Sequence, residues 1–64
     1  MDSEADELRA DIEHWEGRID VEVADADERR RLWDACGDAM TWSWQSVGMA
    51  REKLVPVLNH FDPH

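Results

Sequence analysis

The first apolar pattern along the chain is one helical stripe near its amino end. Ser3 followed by Asp6 forms an imperfect capping box at the start of this segment. The apolar members lie three or four residues apart, which is the spacing of one helix face: Ala5, Leu8, Ile12, Trp15 and Ile19. The pattern predicts helix 1 over about residues 3–19, with charged residues on its other faces.

The next segment is ambiguous. Ile19, Val21 and Val23 alternate as in a short strand, but a lone strand has nothing to pair with inside this chain. We interpret residues 20–25 as a connector. Asp25 followed three residues later by Glu28 then indicates a second helix start.

A longer apolar pattern follows with a period of seven, which is typical of a helix-packing seam. It predicts helix 2 over about residues 26–55, with a kink or restart at Pro56 and a continuation to about residue 61. Trp15 of helix 1 is expected to share this seam. The heptad members are Trp33, Met40, Val47, Leu54 and Phe61, and Cys36, Ser43, Ala50 and Val57 fill the intermediate positions of the seam.

A second, narrower stripe lies on the predicted helix 2 and consists of Ala35, Ala39, Trp42, Ser46 and Met49. Trp44 lies two residues from Trp42, so the two side chains point about 200° apart on a helix. Two interpretations stay open. Both faces serve folding and dimerisation, or Trp42, Trp44 and Met49, with Ala39 and Ser46, anchor a foreign protein, since Trp and Met are common in such anchors.

Together these patterns predict an all-α fold: a single domain over 1–64, built as a two-helix hairpin with a longer second helix. The arms would measure about 25 and 45 Å. Part of the longer arm, including Leu54, Val57, Leu58 and Phe61, would stay uncovered in a monomer. We therefore expect a homodimeric helical bundle. Gly37 and Gly48 within helix 2 indicate a close helix neighbour, or simple tolerance.

Composition limits the possible classes. A chain of 64 residues has a thin core, and its one cysteine, Cys36, fits a reducing compartment as a small hydrophobic residue. No signal-peptide pattern and no apolar run of about 18 residues is present, so we expect a cytoplasmic protein without a membrane partner. His14, Cys36, His60 and His64 match no zinc spacing, and nucleophile motifs are missing, which predicts a non-enzyme without metal or cofactor.

The formal net charge is −9, and residues 1–28 hold 12 of the 16 acidic side chains. Such a chain repels phosphates, so direct nucleic-acid binding is not expected. Asp6, Glu13, Asp20 and Asp27 recur every seven residues. This row either steers a partner, imitates phosphates in a basic DNA-binding cleft, or is a solvated acidic face.

Two stretches resemble a known family: "ADELRADIEHWEGRI" and "ERRRLWDACGDAMTWSWQSVGMAREKL". Their Glu-His-Trp-Glu helix and Ala/Trp-rich second helix look like those of the quorum-sensing anti-activator proteins of Pseudomonas phages. The resemblance implies a short helical dimer that binds a LuxR-type transcription activator and stops it engaging DNA. Some members also contact the type IV pilus assembly ATPase.

The resulting hypothesis is a small phage-encoded inhibitor that binds a bacterial host regulator in the cytoplasm of an infected cell. The helix 2 ridge around Trp42, Trp44 and Met49 would anchor the target, and the acidic row would steer it. The alternatives are an acidic nucleic-acid mimic and a purely structural helical dimer.

Overall fold

The computed structural model describes residues 3–62 and contains three helices. They are α1 (Ser3–Glu22), α2 (Ala26–Trp42) and α3 (Val47–Phe61). The all-α class is therefore confirmed. The two-helix hairpin is wrong, because the long second helix is divided between residues 42 and 47.

Helix α1 is longer than its apolar stripe suggested. The stripe faces inward, and Ala5, Leu8, Ile12 and Ile19 are buried. The helix continues to Glu22, and the backbone N–H of Val23 still donates to the carbonyl of Ile19 at 3.1 Å. The strand-like alternation after Ile19 therefore lies in the last helical turn, and the connector shortens to residues 23–25.

Asp25 sets the start of α2. Its backbone is extended (φ −72°, ψ 123°), and its carboxylate accepts from the backbone N–H groups of Asp27 at 2.9 Å and Glu28 at 3.2 Å. This is the geometry of an N-cap, which satisfies amide groups that have no carbonyl partner in the first turn.

The break between α2 and α3 is a compact turn with its own hydrogen bonds. The amides of Gln45 and Ser46 both donate to the Trp42 carbonyl, at 2.8 and 2.7 Å. Ser46 then turns extended (φ −154°, ψ 115°), and its hydroxyl accepts from the amide of Met49 at 3.3 Å. Ser46 is thus the N-cap of α3. The helix restarts here and then runs through Pro56 to Phe61, whereas the sequence predicted a restart at Pro56.

Contacts along the helices define an up-down-up bundle. Arg9 reaches Ser43 while Val23 receives a bond from Arg29, so α1 and α2 are antiparallel. At the ends of the α1–α3 pair, Glu4 lies 4.0 Å from Arg51, and Trp15 stacks on Phe61. Helices α1 and α3 therefore run parallel, and the molecule measures 38 × 21 × 17 Å.

The core combines aliphatic side chains of α1 and α3 with a smaller inward face on α2. Helix α2 buries Leu32, Cys36 and Ala39, and Ser43 is buried just after its end. The predicted heptad residues therefore do not form the centre of the core. Trp33 is exposed and Leu54 is fully buried. The half-buried members are Met40, Val47, Phe61 and Trp15. Trp33 and Met40 each follow a buried residue of α2 by one position, which turns their side chains about 100° away from its inward face.

The expectation of a dimer rested on apolar residues that a short first arm could not cover. Helix α3 folds back on α2 instead, and Leu54 and Val57 become buried within one chain. Phe61 stacks on Trp15. Of the four residues that were expected to stay uncovered, Leu58 is the exposed one. The homodimer stays a prediction, but this argument for it no longer applies.

Replacing Ser46 tests whether residues 26–61 form one helix or two, because the two cases predict opposite changes in the free energy of unfolding. Ser46→Ala should lower the free energy of unfolding by about 1 kcal/mol, because the first turn of α3 loses an acceptor. Thr41→Ala, inside α2, is the control and should be neutral or slightly stabilising. Urea unfolding followed by circular dichroism measures both. A stabilising Ser46→Ala would mean that one continuous helix crosses residues 43–46.

Cys36 reports on the core. Burial, and secondarily the charge of Glu16, raise the pKa of its thiol from 9.0 to about 11. Native protein should therefore react with iodoacetamide at least roughly a hundredfold more slowly than protein in urea.

The raised pKa of the Cys36 thiol in the folded state favours folding below pH 9.0, and this contribution is lost as the pH rises through about 11. Cys36→Ala should lack that alkaline loss of stability; a native thiol that reacts freely would place Cys36 outside the core.

Candidate protein-binding surface

Trp44 occupies the corner between α2 and α3 and is 71% exposed. It lies outside both helices, in the turn, which is how the chain accommodates tryptophans at positions 42 and 44. The guanidinium carbon of Arg9 lies 3.8 Å from the centre of its ring. One ring face is therefore covered by a cation while most of the indole meets solvent.

Arg9 connects α1 to this corner. Its guanidinium donates to the carbonyl of Ser43 at 3.4 Å and forms an ion pair with Asp6, one turn earlier on α1. The Arg9 side chain is largely covered as a result. Arg9 thus links three features: the end of α2, the first turns of α1 and the indole of Trp44. An exposed tryptophan held in this way loses less rotamer freedom when a partner covers it.

Trp44 extends an apolar line on α2. Trp33 is 38% exposed and Met40 is half-buried, and these two lie seven residues apart on one side of the helix. Trp44 follows Met40 by four residues, on the side that faces α1 because Arg9 covers it. We call Trp33, Met40 and Trp44 the aromatic strip. It runs along the edge of the α1–α2 interface.

A line of charges borders the strip from α1. Asp6, Glu13 and Asp20 are exposed and lie seven residues apart, so they share one side of that helix. Between them, at spacings of three and four, are the half-buried Arg9 and Glu16, which face α2. We call Asp6, Glu13 and Asp20 the acidic row. Asp27, the fourth predicted steering residue, lies in the first turn of α2 and is not part of it.

The predicted partner-binding stripe has a different position. Ala39 is 0% exposed and belongs to the core. Trp42 packs against that core, and Ser46 and Met49 are half-buried. Of the five residues, Trp44 is the exposed one. The structure adds three residues to the candidate surface. Trp33 and Met40 were assigned to the seam, and Arg9 had no predicted role because its contact with Trp44 spans 35 positions.

A second aromatic cluster closes the opposite edge. Trp15 and Phe61 stack with ring centres 5.1 Å apart, and Arg18 lies 4.5 Å from the centre of the Phe61 ring. Glu22 accepts from Arg18 at 2.7 and 3.2 Å, and this hydrogen bonding lowers the pKa of the Glu22 carboxyl. The cluster attaches the end of α3 to α1, so its role is structural.

An open groove of about 510 Å³ lies near the start of α2 and the end of α3. Glu28 accepts from Arg31 at 2.7 Å and lies 3.4 Å from the imidazole of His60. The charges in this groove therefore pair with one another. The remaining residues that line it are Val55, Pro56 and Asn59.

Within residues 3–62, no three His, Cys, Asp or Glu side chains are grouped so that they could hold a metal ion, and His64 lies outside that range. No helix in the described part of the chain is long and apolar enough to cross a bilayer.

Comparison with known proteins found no match: no family model, curated protein or solved structure matches this chain. The resemblance to phage anti-activators therefore stays a prediction.

Truncation should cost much less stability at Trp44 than at Trp15. Trp44→Ala should cost less than about 1 kcal/mol of stability, because it removes an exposed cation–π contact and little buried area. Trp15→Ala should cost about 2–3 kcal/mol, because it removes the surface on which Phe61 stacks. Urea midpoints of the two variants provide the measurement. Equal losses would show that Trp44 is a structural residue.

Proposed function

We propose that this chain is a small non-enzymatic protein that binds another protein through the aromatic strip and inhibits it. The observation that carries the proposal is Trp44, which is mostly exposed yet held in one position by Arg9. Trp33 extends the same surface by about 16 Å along α2. Tryptophan is the residue type most enriched among the few that dominate binding energy at protein interfaces.

The shape of this surface favours a protein over a small molecule. Trp33 lies on an open edge of α2 and Trp44 in the turn that follows it, whereas small-molecule sites are concave and enclose most of their ligand. The groove elsewhere on the molecule is open as well, and its charges pair internally. These features support a flat contact with a macromolecule.

The target class comes from the resemblance. The proposed target is a LuxR-type transcription activator of a bacterial host, and the proposed effect is loss of its DNA binding. A phage origin and action in the host cytoplasm belong to the same proposal. The concentration of acids on α1 agrees with it, because DNA-binding proteins carry basic surfaces.

Phosphate mimicry is the second candidate, favoured by the exposure of the acidic row. Successive members of the row lie about 10.5 Å apart along α1. Charges on one DNA strand rise by about 3.4 Å along the helix axis. The row is therefore too sparse to imitate a strand alone, and it serves better as a complement to an apolar contact.

A gel-shift assay with a Pseudomonas LuxR-type activator and its operator DNA tests the proposal. Wild-type protein should abolish the shifted band, and Trp44→Ala should require at least about tenfold more protein, the effect of losing one interface anchor. Val21→Ala is the control, because Val21 is 84% exposed on α1 and outside the strip.

An unchanged shift at saturating wild-type protein would reject the LuxR-type target. Inhibition that Trp44→Ala leaves intact would reject the strip as the binding surface. Inhibition that disappears at moderate salt in wild type and Trp44→Ala alike would favour phosphate mimicry.

A further inference from the structure

We propose that the aromatic strip and the acidic row together form a docking site for one basic amphipathic α-helix. This inference rests on the proposed function and specifies the chemistry of the partner. The partner helix would lie along the α1–α2 edge, with apolar side chains on Trp33, Met40 and Trp44. Its Lys or Arg side chains would reach the carboxylates of α1.

The two lines lie side by side at matching heights. Because Arg9 faces Ser43 and Val23 faces Arg29, the antiparallel register places Glu13 level with Met40 and Asp20 level with Trp33. Each apolar position on α2 therefore has an acidic neighbour across the edge. A ligand that covers the strip meets this row of negative charge on one flank.

Charge decides what can cover such a surface. A second copy of this chain docked on the same face would bring its own acidic row to the contact, and like charges disfavour that pairing. Anionic membranes and nucleic acids are repelled for the same reason. Arg9 pairs with Asp6 and covers Trp44, so Glu13 and Asp20 are the members of the row that face a partner. A cationic partner is the complementary one.

Backbone geometry indicates that this partner presents side chains from a helix. Residues 3–62 contain no strand, so this part of the chain offers no edge to which an extended peptide could add. The strip covers about 16 Å, which is about three helical turns. An amphipathic helix with apolar residues at spacings of three, four and seven matches that length.

Gly37 leaves the centre of the aromatic strip without a side chain. It lies in the middle of the strip, four residues after Trp33 and three before Met40. A Cβ atom added there would meet nothing within 4 Å, so packing inside the molecule does not require this glycine. Glycine in a helix interior is nevertheless unfavourable relative to alanine. In the proposed complex, Gly37 gives the backbone of the partner helix room at the centre of the strip.

Three fluorescein-labelled peptides of 15 residues test the inference by fluorescence anisotropy against the full chain. All carry leucines at helical spacing, and their flanking positions are Lys, Gln or Glu. The Lys peptide should bind about fourfold more tightly than the Gln peptide at low salt, since each of two exposed pairs, with Glu13 and Asp20, adds about twofold. The Glu peptide should bind most weakly, and added salt should reduce the difference.

Paired variants locate the site. Glu13→Lys with Asp20→Lys should reverse the order of the Lys and Glu peptides. Glu7→Lys with Asp11→Lys, which makes the same change in net charge elsewhere on α1, should retain the order. Gly37→Gln should weaken the Lys peptide at least tenfold by filling the strip, while Gly48→Gln on α3 should not. Thermal melts of each variant verify folding.

The outcomes separate the inference from the function on which it rests. If the Lys and Gln peptides bind equally and Trp44→Ala abolishes the binding of both, the inferred preference for a basic partner is wrong and the aromatic strip remains a binding surface. If Trp44→Ala changes nothing, both proposals fail. Concentration-dependent self-association that Trp44→Ala removes, with no peptide bound, would overturn the inference and assign the strip to a second copy of the chain.

Discussion

The turn at residues 43–46 is the constraint on which the rest of the molecule depends. Without it, a helix running from residue 26 to residue 61 would leave its second half against solvent. The turn lets α3 fold back, so Leu54 and Val57 find cover on α2 within one short chain. Ser46 starts the new helix, and Arg9 fixes the turn to α1 through the Ser43 carbonyl.

The same turn generates the exposed surface. Reversing the chain after Trp42 places that indole against the core, while Trp44 is carried to the outside of the corner. A single structural event therefore separates two nearby tryptophans into a packing residue and an exposed one. The Arg9 contact then gives the exposed indole a defined position beside the α1–α2 edge. Fold and candidate function are consequences of one change in chain direction.

Helix content and the inward stripe of α1 could be predicted from the sequence, because apolar spacing on one helix depends only on helix geometry. The break could not, for two physical reasons. The heptad Met40, Val47, Leu54 continues in register across it, and Ser46 lacks the Glu or Gln at the third helical position that marks a capping box. The contact between Arg9 and Trp44 joins distant parts of the chain, and a local pattern does not contain it.

The centre of the core on α2 was misplaced, because the heptad of Trp33 and Met40 was taken as the centre and Cys36 as an intermediate position. In this bundle the centre holds Cys36 and Ala39, and Trp33 lies at the edge.

The most direct test of the account is a nuclear Overhauser spectrum of the labelled chain. We predict non-helical carbon shifts at residues 43–46 and cross-peaks between the Trp44 ring and the Arg9 side chain. Helical shifts throughout 26–61, without those cross-peaks, would contradict it.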